Sequence, residues 1–68
     1  MKVQLKSDNV GGYKIFISGT NFGSFDQING NDTPFCYFPK LTDRMTGDHW
    51  IVIGHALNNI NQKFNKSA

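Results

Sequence analysis

Two short segments near the start of the chain alternate strictly between apolar and polar residues. In the first, Met1, Val3 and Leu5 alternate with Lys2, Gln4 and Lys6; in the second, Tyr13, Ile15 and Ile17 alternate with Lys14, Phe16 and Ser18. A period of two belongs to a strand with one buried and one wet face. The segment between them, Ser7 to Gly12, ends in paired glycines and has turn chemistry. The two strands read as an antiparallel hairpin, and the rest of the chain must build on that sheet.

The hairpin belongs to a chain of 68 residues, which predicts one domain over 1–68. A chain so short buries only about 60% of its unfolded surface, which excludes the large nucleotide-binding and barrel architectures. Hydrophobic residues make up 38% and charged residues 18%, the balance of a globular chain rather than a disordered one.

Further along, Gly19 to Pro34 is rich in Gly, Asn and Asp around Phe22, Phe25 and Ile28. It reads as a loop with some local structure. A strand over Asn21 to Phe25 and a helical turn capped by Ser24 and Gln27 are the alternatives, with Asn29-Gly30 as a turn. Phe35 to Phe38 is a short aromatic strand bracketed by Pro34 and Pro39, which suits an edge. Leu41 to Met45 could add another. His49 to Ile53 reads as a central strand, apolar on both faces. From Gly54 the period becomes 3.6, with Ala56, Leu57, Ile60 and Phe64 on one face of a helix from about His55 to Lys66. The fold class expected is α+β: a small antiparallel β-sheet of four or five strands with one C-terminal amphipathic helix packed on one face.

The single cysteine, Cys36, excludes an internal disulfide. No apolar leader and no long apolar run is present, so the expected setting is the cytoplasm, away from membranes. Cys36, His49 and His55 could be metal ligands or a nucleophile–base pair, but they lack paired ligand spacing. Between aromatics in a strand, Cys36 is expected to act as a small hydrophobe. The acids are five Asp and no Glu, scattered through turns where Asp serves the backbone. Neither glycine cluster leads into a phosphate-binding helix. The expectation is a protein without catalytic residues, metal, cofactor or small-molecule substrate.

Binding is the remaining class. The formal charge of +2 is too mild to require nucleic acid. Alternation nevertheless gathers Lys2, Lys6, Lys14 and Phe16 on the outer face of the hairpin, where Lys40 and Arg44 could join them. Trp50 and Val52 are expected with Phe16 on a sheet face that one helix cannot cover. Exposed aromatic patches mark interaction sites, and Trp and Arg anchor them. Basic residues interleaved with aromatics also serve single-stranded nucleic acid. Gly12 to Ile17 resembles a strand of the RNA-recognition and oligonucleotide-binding folds in composition only: it lacks their motif spacing and is too short to name a family. The expected partner is a protein or nucleoprotein complex with an acidic face; nucleic acid itself is the alternative. The eight Asn and the many Lys, Ile and Phe carry AT-rich codons, which are frequent in phage and mobile-element genes and also in ordinary AT-rich bacteria. In size and layout the chain is similar in style to phage-encoded inhibitors of host machinery, anti-CRISPR proteins among them, and no residue carries over from that likeness.

Overall fold

The computed structural model describes residues 1–28, 30 and 32–65, with the side chain of Asn65 left out. The expected turn at Asn29 and the expected end of the helix at Lys66 lie outside these residues. Four strands, β1 (Val3–Ser7), β2 (Tyr13–Ile17), β3 (Thr20–Asp26) and β4 (Cys36–Pro39), form an antiparallel sheet in sequence order. A short 3₁₀ turn (Thr42–Arg44) leads to α1 (Gly47–Ile60), followed by a four-residue helix, α2 (Gln62–Asn65). The α+β class is therefore as the sequence indicates.

The first hairpin pairs as alternation requires: Val3 faces Ile17, Leu5 faces Ile15 and Lys6 faces Lys14. Its turn is held by Asp8, whose Oδ1 accepts hydrogen bonds from the backbone N–H groups of Val10 and Gly12, each at 2.9 Å. Those bonds favour the ionised carboxylate and hold its pKa below the ordinary 3.8.

The Gly19 to Pro34 segment takes the strand alternative over Asn21 to Phe25, extended by one residue at each end. Its first half is β3, the longest strand, and the expected Ser24–Gln27 cap gives way to a Ser24 hydroxyl that donates to Asp26 Oδ2 at 3.2 Å. Alternation was obscured here because the pairing register shifts between Ile15 and Phe16. Phe16 lies opposite Asn21 and Ile15 opposite Gly23, so Phe22 is the extra residue of a bulge. Phe22 and Phe25 are both buried as a result. The Phe22 carbonyl accepts two bonds, from the Tyr37 hydroxyl at 2.6 Å and the Lys40 N–H at 3.0 Å. The bulge is thereby tied to β4.

Two further expectations are corrected. Leu41 to Met45 is not a strand, because Leu41 takes a left-handed backbone (φ 56°) and starts the 3₁₀ turn. His49 to Ile53 is not a central strand but the first part of α1, whose start lies at Gly47 rather than His55. A contiguous Trp-Ile-Val-Ile run suits either period, so spacing beyond it decides. His49, Val52, Ile53, Ala56, Leu57 and Ile60 continue one stripe at helical spacing, and all are buried or half-buried. At the N-cap, the Thr46 N–H donates to His49 Nδ1 at 3.1 Å, and Asp48 adds negative charge to the first turn, where it suits the helix dipole.

The core is Ile15, Ile17, Phe22, Phe25 and Ile53, with Val3, Leu5, Tyr13, Phe35, Tyr37 and the inner stripe of α1 around it. All of it lies between the helix and one sheet face. At the far end of α1, Asn61 is buried and clamps the backbone of Phe35. Its Oδ1 accepts from the Phe35 N–H at 2.8 Å, and its Nδ2 donates to the Phe35 carbonyl at 3.0 Å. This amide does what a neighbouring strand would do for the segment entering β4.

Candidate anion-binding face

The helix covers one face of the sheet. The other face carries the side chains that alternation sends outward. Pairing runs Lys6, Lys14, Ser24 and Phe38 in one row across all four strands, with Gln4, Phe16 and Asn21 in the next. Lys6 Nζ stands over the Phe16 ring, 5.1 Å from its centroid, a geometry worth about 0.5–1 kcal/mol at an exposed site.

Lys2, Lys6, Lys14 and Phe16 thus share the outer face of the hairpin, as expected. Lys2 and Gln4 line a shallow concavity of about 190 Å³ with Ser18 and Gly19. Lys40 joins from beyond β4. It lines a second concavity of about 260 Å³ with Lys14, Asn21, Gly23, Ser24 and Phe38. None of these lysines forms an ion pair among the described residues. The acids lie at the margins or elsewhere: Asp8 in the hairpin turn, Asp26 at the end of β3, Asp32 between β3 and β4, Asp43 in the 3₁₀ turn and Asp48 on α1. Like charges at directly paired positions, as with Lys6 and Lys14, oppose sheet stability.

Three expected members fall elsewhere. Trp50 is on α1, not on a strand, and is 46% exposed with its ring edge-on to Tyr37 at 5.9 Å. It flanks the helix–sheet interface on the side opposite the lysines. Val52 likewise packs against the core from α1. Arg44 ends the exposed 3₁₀ turn and lines neither concavity. The large aromatic that accompanies the lysines is instead Phe38, 43% exposed on β4. The sequence reading missed Phe38, Asn21 and Ser24. Alternation within Phe35 to Phe38 carried the signal for the first, since Phe35 and Tyr37 point inward.

The groups considered for catalysis do not converge. Cys36 is exposed at the outer edge of β4, a correction to its expected role as a small hydrophobe. His49 caps α1 with its ring 5.0 Å from that of Phe22, and His55 is exposed on α1. Among the described residues no three His, Cys, Asp or Glu side chains come together as a metal site, and no helix is long and apolar enough to cross a membrane. No protein-family model, curated protein or solved structure matches the chain.

Proposed function

We propose that this is a non-enzymatic binding protein that docks the open face of its sheet onto a nucleoprotein complex or an acidic protein surface. The observation that carries the reading is the gathering of Lys2, Lys6, Lys14 and Lys40 on a face free of helix, where, among the described residues, only Lys14 has a carboxylate, Asp8, near enough to feel its charge. Clustered unpaired lysines cost stability, and an anionic partner offsets that cost while steering association. A small module seated on such a face would exclude other ligands from it, which is how an inhibitor of this size would act. A second reading, direct binding of single-stranded nucleic acid, is favoured by Phe16 and Phe38, whose rings stand among the lysines and could stack on bases.

Titration with a fluorescent oligothymidylate, and separately with polyaspartate, across a range of salt tests both. Binding to oligothymidylate should weaken with a log–log slope of about −2 to −3, as three or four lysines each release about 0.7 counterions. Binding of polyaspartate alone would assign a carboxylate-rich protein surface. Binding of neither at low salt contradicts the proposal.

A further inference from the structure

The larger concavity has a specific build. Its floor is the bulged strand at Gly23 and Ser24, Lys14 and Lys40 flank it, and Phe38 forms a wall. Asn21 also lines it, and its amide orientation is set. Oδ1 accepts from the Gly23 N–H at 2.8 Å, which leaves the Nδ2 hydrogens without an acceptor among the described residues. The floor is equally fixed, because the Phe22 carbonyl is held by both Tyr37 and Lys40.

We propose that this bowl is a subsite for one nucleotide of a single strand, with its phosphate between the Lys14 and Lys40 ammonium groups and its base against the Phe38 ring. The inference rests on the reading that the partner carries nucleic acid. Two point charges and an amide donor suit a tetrahedral phosphate, whereas planar bidentate recognition of a carboxylate is the province of arginine, which the bowl lacks. The exposed ring beside the charges adds a surface that an aspartate side chain could not use and a base can. At about 260 Å³ and open to solvent, the bowl is smaller than a typical cofactor pocket of about 300–1,000 Å³ and suits one unit of a longer chain. Two carboxylates border the bowl on its Lys14 side: Asp26 Oδ2 accepts the Ser24 hydroxyl at 3.2 Å, and Asp8 feels the Lys14 charge, so the phosphate belongs toward Lys40.

The test is an amide chemical-shift titration of the whole chain with thymidine monophosphate, compared with thymidine and with inorganic phosphate. Saturable shifts are expected at Asn21, Gly23, Ser24 and Lys40. The monophosphate should bind about tenfold more tightly than inorganic phosphate, the gain expected from one base stacked on one ring, and more tightly than thymidine, which lacks the charge held by the two lysines. Lys40→Gln should abolish the preference for phosphate over thymidine, and Phe38→Ala the preference for the nucleotide over inorganic phosphate. Both side chains are solvent-exposed, so dispersed spectra should persist. Equal binding of inorganic phosphate and the monophosphate, or no shift at these amides, overturns the subsite. If oligothymidylate still binds while the bowl amides stay unmoved, the subsite is wrong and the docking face stands. If oligothymidylate binding is also absent, the nucleic-acid reading fails with it.

Discussion

Replacing Gly23 by alanine should lower the melting temperature by about 10 °C or more, or unfold the chain outright. Gly23 has a φ of +129°, a conformation that side chains avoid, and strain of this kind costs about 1–3 kcal/mol. A Cβ there would also run into the Phe38 carbonyl and sit 3.0 Å from Tyr37 Cε1 and 3.1 Å from the Pro39 Cα. Relief requires β4 to move away from β3, which breaks the Tyr37 and Lys40 bonds to Phe22. A domain of this size has only about 3–5 kcal/mol to lose. Gly54 in α1 is the control. A Cβ there meets nothing within 4 Å, so Gly54→Ala should stabilise by about 0.5–1 kcal/mol. Circular dichroism melts of the two variants check both signs. A Gly23→Ala melt as stable as the parent would show that the bulge does not press on β4 as described.

Asn61→Ala should have the second large effect. The substitution removes both bonds to Phe35 and leaves its half-buried N–H and carbonyl without partners, at about 1–3 kcal/mol for each orphaned group. The clamp is the only side-chain link between the end of the helix and the segment entering β4 among the hydrogen bonds of the described residues. Its loss should therefore be local before it is global. Hydrogen exchange would show the Phe35 amide losing protection while Ile15, fully buried in β2, keeps it until the chain unfolds. Retained protection at Phe35 would mean that the amide pair does not hold this segment.

The hairpin and its outward lysines were legible because alternation alone determines which face a strand residue takes. Lys6 and Lys14 pair directly, and Lys2 and Phe16 follow from the same period. The inner stripe of the helix was legible from Ala56 onward for a similar reason. The start of the helix was not. Trp50 to Ile53 offers apolar residues at every position, and the reciprocal contact of Thr46 and His49 that begins the helix uses a histidine where a glutamate or glutamine is the usual signal. β3 was legible only as one alternative among three, because its alternation breaks at Phe22 and its centre is a glycine, which weakens the period-two pattern at the point where the bulge forms. Trp50 was misplaced as a direct consequence of the missed helix start. Asn61 gave no local signal at all, since its partner Phe35 lies 26 residues away in sequence.

The working surface is tested most directly by two triple variants matched in charge. Lys2→Gln, Lys6→Gln and Lys14→Gln remove three positive charges from the open sheet face. His55→Glu, Asn58→Glu and Asn59→Glu add three negative charges to exposed positions of α1. Both lower the net charge equally, taking histidine as neutral, so any difference between them reports the face and not the overall charge. Affinity for fluorescent oligothymidylate and for polyaspartate is measured at one fixed salt concentration, after melts confirm that both variants are folded. The sheet-face variant should bind whichever polyanion the parent binds at least about tenfold more weakly, equivalent to about 1.4 kcal/mol, while the helix-face variant stays close to the parent. Equal losses in the two variants, or a loss confined to the helix-face variant, would contradict the assignment of the open sheet as the docking surface.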